Sequence, residues 1–206
     1  MTGQHGYRVL SSAPVFRGRV TALRSDVIEM PDGGSAQRDV VELPGAVGIV
    51  ALDEDDRVLL VRQYRHPVGR RLWEVPAGLL DSTTEAPREA GERELYEEGR
   101  LRARSWHTLV DVLTSPGSTD ETIRILLARD LEAVPADEWF SGPDEEAELE
   151  RRWCGLDEVL RGCLDGTVEN GITVAAVTAV AAWRRVGGAL RPADAPWLAR
   201  KQEVRG

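Results

Sequence analysis

In ERELYEEGRL, residues 92–101, three of the four glutamates crowd together at positions 94, 97 and 98. The stretch reads as helix, and on a helix residues three and four apart become surface neighbours. Glu94 then repels Glu97 and Glu98 by about 0.2–0.5 kcal/mol per pair. Arg93 relieves one line of side chains, because Glu89 lies four residues before it and Glu97 four after it. Glu94 has Ala90, Gly91, Glu97 and Glu98 around it and no basic residue a turn away. Glu98 sees Glu94, Leu95 and a chain about to break at Gly99. An acidic helix face is ordinarily a solvated, salt-bridged surface. The alternative is that two carboxylates one turn apart, beside a patch of small residues, form an all-oxygen site for Mg²⁺ or Mn²⁺.

Outward from this helix, β-prone and helical segments alternate. Pro87 falls in the helix's first turn, where proline is tolerated. Before it, LWEVPAG (72–78) reads as a short strand ending in a Pro/Gly turn, and AVGIVALDEDDRVLLVRQYR (46–65) as two apolar strands around a turn at Asp53–Asp56. Residues 15–43 hold the turn signal PDGG (31–34) between two β-prone runs, which predicts an N-terminal hairpin or small sheet. Downstream, SWHTLVDVL (105–113) and ETIRILLAR (121–129) are strands separated by the turn-rich TSPGSTD (114–120). The acidic SGPDEEAELE (141–150) precedes a strand ending near Trp153. LDEVLRGCL (156–164) and NGITVAAVTAVAAWRRVGG (170–188) read as helices, the second capped by Asn170 and ended by Gly187. This order predicts an α/β (α+β) fold with helices against a mixed sheet.

Composition narrows the chemistry. With 206 residues, 42% of them hydrophobic, the chain can bury one core and carry an appendage. A net charge of −9 argues against nucleic acid or an anionic membrane as partner, although a compact anion bridged by a metal remains compatible. Cys154 and Cys163 suggest neither a disulfide framework nor a zinc knuckle, which favours a reducing, cytoplasmic setting. The first residues, MTGQHGYRVL, lack the apolar run of a signal peptide. ITVAAVTAVAAW (172–183) is shorter than the roughly 20 residues a membrane span needs and reads as a buried helix. The single lysine, Lys201, removes P-loop and Schiff-base chemistry, and no Gly-x-Ser-x-Gly elbow is present. His5, His66 and His107 lack zinc-type spacing. Carboxylates are the catalytic groups in surplus.

GLLDSTTEAPREAGERELYEEGRL (78–101) resembles the Nudix box, Gly-x5-Glu-x7-Arg-Glu-U-x-Glu-Glu-x-Gly-U with U aliphatic. Glu85, Arg93, Glu94, Leu95, Glu97, Glu98 and Leu101 fall into place, and Gly78 matches if the first gap holds six residues. Arg100 stands where the box has glycine, and Gly99 is expected to take over the left-handed helix cap. RQYRHPVGRRLWEVPAG (62–78), Pro116 sixteen residues after Arg100, TSPGSTDE, PDEEAE and a β-rich N-terminal extension are similar to the ADP-ribose pyrophosphatase branch.

The resemblance implies an α/β/α sandwich with a mixed sheet and hydrolysis of the pyrophosphate of ADP-ribose, with Mg²⁺ or Mn²⁺. It implies Glu94 and Glu98 as principal metal ligands, completed by Glu97 and the carbonyl of Ala77, with Arg93 and Glu85 orienting helix and loop through ion pairs. Glu146, and after it Glu145, are the expected general base, with Glu98 also at the reaction centre. Arg65, Arg70 and Arg71 are expected near substrate phosphate and ribose oxygens. Glu74 would accept hydrogen bonds from the nucleoside or pair with an arginine. The tryptophans at 73, 106, 139, 153 and 183 are expected in the core or at interfaces. Domains are expected at 1–43 (a β-rich dimerisation extension), 44–190 (the hydrolase) and 191–206 (a tail). The branch further implies a homodimer in which one subunit's extension lies over the other's adenosine. Hydrolysis of another nucleoside diphosphate derivative, a non-catalytic nucleotide-sugar sensor and an acidic interaction domain are the alternatives.

Overall fold

The computed structural model describes residues 7–82, 84–139 and 149–199. Eleven strands and three helices are formed among them: β1 Arg8–Arg17, β2 Ala22–Glu29, β3 Ser35–Glu42, β4 Ala46–Ala51, β5 Arg57–Arg65, β6 Arg70–Glu74, β7 Ala77–Leu79, α1 Pro87–Glu97, β8 Leu101–Leu113, β9 Thr122–Ala133, β10 Glu150–Gly155, α2 Leu156–Asp165, α3 Gly171–Val186 and β11 Arg191–Pro192. The chain forms two compact units, one comprising Met1–Pro44 with Leu113–Glu121, the other Gly45–Val112 with Thr122–Gly206.

The first unit is an antiparallel sheet ordered β1-β2-β3. Of the hairpin or small sheet expected over 15–43 it is the small sheet, and it starts earlier, because β1 begins at Arg8. The PDGG turn joins β2 to β3: Gly33 takes φ 84°, and Asp32 Oδ1 accepts from the Gly34 amide at 3.0 Å. The segment 113–121 belongs here for a reason that is not local. Val41 donates to Ser118 O (2.9 Å), Asp120 donates to Val41 O (3.2 Å), and Asp120 Oδ1 accepts from the Leu43 amide (3.1 Å). Arg24 ties the arrangement together through Asp26, Glu42 and Asp120. All ten residues of β1 are exposed, among them Val9, Leu10, Val15 and Phe16.

In the second unit, β11-β8-β9-β4-β7 form a mixed sheet in which β4 runs parallel to β9 and antiparallel to β7. Side chains alternate between faces along a strand, and β4 and β9 are apolar on both. Val50, Leu52, Ile123, Ile125 and Leu127 pack with Leu156, Val159, Ala176, Val177 and Val180 of α2 and α3. Val47, Ile49, Ala51, Leu126 and Ala128 pack with Ala90 and Leu95 of α1. The sheet is thus sandwiched between α1 and the α2–α3 pair. The two strands expected around Asp53–Asp56 are present but part company: β4 joins this sheet, while β5 is the centre of a second one, β10-β5-β6.

Helix ends follow their chemistry. Asn170 Oδ1 accepts from the Thr173 amide (2.9 Å) at the start of α3, and Gly187 (φ 73°) closes it by donating to Trp183 O (2.7 Å). Within the segment 191–206 expected as a tail, β11 pairs with β8, and Ala193 and Trp197 are buried beside the α1 face of the sheet. Arg124, 1% exposed, makes this docking obligatory: its guanidinium is held by Asp111 (2.8 and 3.2 Å) and by the carbonyls of Ala195 (2.6 Å) and Pro196 (3.2 Å). Leaving such a charge unpartnered would be strongly destabilising.

Candidate active site

Helix α1 starts at Pro87 without a side-chain cap at Ala86, and Glu89 turns back to accept from the Ala86 amide (3.3 Å). Its inner line, Ala90, Gly91 and Leu95, is buried; at Gly91 an added Cβ would lie 2.7 Å from Leu126 Cδ1. That close seat fixes the rotation of the helix and turns Glu94 and Glu98 toward β7. Glu94 is 8% and Glu98 5% exposed. Glu98 Oε2 accepts from the Ala77 amide (3.0 Å), and a Cβ on Gly78 would stand 1.9 Å from Glu94 Oε1. The box glycine is therefore needed because the Glu94 carboxylate lies against the backbone there.

A third buried carboxylate, on the other sheet, lies near enough to act on the charge of Glu98. Glu74, 2% exposed, is held by Arg65 through Nε to Oε1 (2.9 Å) and Nη2 to Oε2 (2.7 Å). Burial pushes the Glu98 carboxyl up to about 8, opposed by the Ala77 amide and by Arg65 and reinforced by the charges of Glu94 and Glu74. Burial beside two further carboxylates favours the neutral form of Glu98 in the absence of a bound cation. An all-oxygen donor set of this kind fits a hard divalent cation bound beside Ala77 and Gly78.

Arg93 corrects the expectation that Glu94 has no basic neighbour. Its Nη1 lies 2.5 Å from Glu94 Oε1 and 3.6 Å from Glu97 Oε2, its Nε 3.4 Å from Glu85 Oε1, and its Nη2 donates to Leu79 O (3.1 Å). Surface geometry three and four residues away missed this contact, because a long guanidinium can also fold back on the next residue. Among the described residues no three His, Cys, Asp or Glu side chains are gathered as a ready-made metal cluster, consistent with Glu94 turned to Arg93 and Glu98 to the Ala77 amide.

The expected substrate arginines are not brought together. Arg65 is close enough to Glu98 to act on its charge. Arg70, at the opposite end of β6 from Glu74, pairs with Glu169 (2.7 Å). Strand alternation puts Arg71 on the face of Trp73, away from Glu74. Glu145 and Glu146 lie outside the described residues. A cavity of about 430 Å³ lined by Glu92, Arg93, Tyr96, Arg102, Ala103 and Trp106 opens on the other flank of α1.

Two residues at the end of α1 escaped the expected pattern. Arg100, not Gly99, takes the left-handed conformation, with φ 55°. Gly99 is required for closeness instead, since a Cβ would meet Leu95 O at 2.6 Å and Leu59 Cδ2 at 3.2 Å. Arg100 is supported by the Trp139 ring, whose centroid lies 3.7 Å from its guanidinium carbon, and by its carbonyl accepting from the Val134 amide (3.0 Å). Arg151 was assigned no role from sequence; it reaches the same helix end.

Comparison with known proteins bears on the family and the fold. Residues 42–174 match the NUDIX domain. The chain is 43% identical over 197 residues to an ADP-ribose pyrophosphatase of Mycobacterium tuberculosis, covering 96% of this chain and 94% of that protein. The chain belongs to the Nudix hydrolase family. This Nudix hydrolase is also 33% identical over 170 residues to a methanol dehydrogenase activator of Bacillus methanolicus, covering 82% of this chain and 90% of that one. Its fold superposes on a crystal structure of an ADP compounds hydrolase with a TM-score of 0.75 at 23% identity, over 91% of this chain and 99% of that one. Nudix hydrolases generally need divalent metal ions. No helix among the described residues is long and apolar enough to cross a membrane.

Proposed function

We propose that this Nudix hydrolase cleaves ADP-ribose to AMP and ribose 5-phosphate with Mg²⁺ or Mn²⁺. The observation that carries the reading is the convergence of buried Glu94 and Glu98 on Ala77 and Gly78. Glu94 and Glu98, with Glu97 and the Ala77 carbonyl, would hold the cation. When bound, it neutralises the diphosphate and lowers the pKa of a water molecule. In the reaction a water oxygen bonds to one phosphorus, the bond from that phosphorus to the bridging oxygen breaks, and the water's proton passes to a base. Glu146, then Glu145, are the residues assigned that role by the family resemblance. Arg65, anchored on Glu74, is poised to meet a phosphate or ribose oxygen as a guanidinium fork; Arg70 and Arg71 complete the candidate set. Identity to the mycobacterial ADP-ribose pyrophosphatase over nearly the whole chain supports ADP-ribose as substrate.

The exposed apolar side chains of β1 support a homodimer built through the N-terminal sheet. Activity on ADP-ribose should require Mg²⁺ or Mn²⁺ and vanish in excess EDTA, while a panel of sugar nucleotides and dinucleotides should be cleaved more slowly. Turnover that persists in chelator, or a faster reaction with another diphosphate, would overturn the respective part. Light scattering should give twice the 22.7 kDa of one chain, and deletion of residues 1–43 should give monomers; a full-length monomer would remove the dimer.

A further inference from the structure

The carboxylates of the proposed site stand on the last turn of α1, where the final carbonyls have no partner within the helix. In the box pattern a glycine ends this turn; here the position holds Arg100. Three features replace that ending, two of which are the Arg100–Trp139 stack and the close seat of Gly99 on Leu59. The third is Arg151. Its Nε donates to Glu98 O (2.5 Å), its Nη2 to Glu97 O (3.4 Å) and its Nη1 to Leu149 O (3.0 Å). One guanidinium thus holds the main-chain oxygens of Glu97 and Glu98, two of the three residues whose carboxylates are assigned to the cation.

The sheet explains why Arg151 arrives there. β10 pairs with β5 so that Arg151 opposes Val61, and β6 pairs with β5 so that Val61 opposes Glu74. Directly opposed residues project to the same face. Arg151, buried Val61 and buried Glu74 therefore form one row on the face that receives the end of α1. Glu74 meets the Glu98 side of the carboxylate group, while Arg151 takes the carbonyls. A cation at a helix C-terminus also opposes the negative end of the helix dipole.

We propose that Arg151 is a positioning residue of the metal site, setting the orientation of Glu97 and Glu98 through their carbonyl oxygens without touching cation or substrate. This rests on reading Glu94 and Glu98 as metal ligands. Removing groups that orient ligands typically lowers metal affinity or activity by about 10–100-fold. The test is Mn²⁺ binding, followed by electron paramagnetic resonance, in the full chain and in Arg151→Met, Arg151→Lys and Arg152→Met. Arg152 is the adjacent residue on the opposite face, paired with Glu158 (2.8 Å). Arg151→Met should weaken Mn²⁺ binding about 10-fold and lower kcat, with KM for ADP-ribose nearly unchanged. Arg151→Lys, which keeps the charge but loses the fork, should fall between, and Arg152→Met should match wild type. Wild-type Mn²⁺ affinity in a folded Arg151→Met would overturn the proposal. If that variant fails to fold, wild-type affinity in Arg151→Lys would do so. A wild-type chain that binds no Mn²⁺ would instead refute the ligand assignment beneath both readings.

Discussion

Replacing Glu98 with glutamine separates the electrostatics of the site from its packing. In the metal-free chain the Glu98 carboxyl is pushed from 4.5 to about 8, first by burial and then by Glu94 and Glu74. Between these values the folded state retains a proton that the unfolded state has released, so stability falls as pH rises through the window. The difference of about 3.5 pH units, at about 1.4 kcal/mol each, sets a ceiling of about 5 kcal/mol above pH 8 and about 3 kcal/mol at pH 7. Glutamine stays neutral throughout and keeps an oxygen for the Ala77 amide. Thermal unfolding in EDTA from pH 5 to 8.5 should therefore show wild type losing stability with pH relative to Glu98→Gln. At about 2–4 °C per kcal/mol for a chain of this size, the variant should melt at least about 5 °C higher at pH 8. Mg²⁺ or Mn²⁺ should raise the melting temperature of wild type far more than that of the variant, whose turnover should fall by orders of magnitude. A metal-free wild type that keeps its stability relative to Glu98→Gln across this range would refute the reasoning, and near-native turnover of the variant would refute the ligand assignment.

The other positions test local geometry. Gly78→Ala places a Cβ where Glu94 Oε1 now lies; displacing that carboxylate by about 1 Å should cost about 100-fold in kcat, read in steady-state kinetics beside an unchanged far-ultraviolet dichroism spectrum. Arg100→Ala keeps a left-handed non-glycine residue, which costs about 1–2 kcal/mol, and loses the Trp139 stack, so urea unfolding should show a loss of about 1 kcal/mol. Arg100→Gly loses the stack but also the strain, and should stay within about 1 kcal/mol of wild type; equal losses in both variants would show that the backbone is unstrained.

Elements governed by neighbours in sequence could be read directly. Asn170 and Gly187 bound α3, Pro87 opens α1, and Gly33 and Asp32 shape the first-unit turn, because each depends on a few adjacent dihedrals and local hydrogen bonds. The acidic residues one turn apart on α1 were equally visible, since helical spacing alone makes them neighbours. The end of that helix was misjudged: Gly99 was expected to supply the left-handed residue, yet it is held by contact with Leu95 and Leu59, and the left-handed position passes to Arg100. A preference for glycine at a cap was outweighed by close packing and by the aromatic support of Trp139, which follows a short 3-10 turn at 136–138 beyond the end of β9.

The periodicity of apolar side chains, the turn signals and the box spacing determined that this chain builds a sheet between helices and carries crowded carboxylates on one of them. Whether those carboxylates are buried, and what they meet, was decided only when remote strands were brought into register. β5 left its sequence neighbour β4 to pair with β6 and β10, which put Glu74 and Arg151 on one face with Val61. Arg151 is 53 residues from Glu98, and Arg124 finds its carbonyls 71 and 72 residues away. Such contacts leave no periodic trace in the chain, because long side chains reach their partners only after burial has removed water as the competing one.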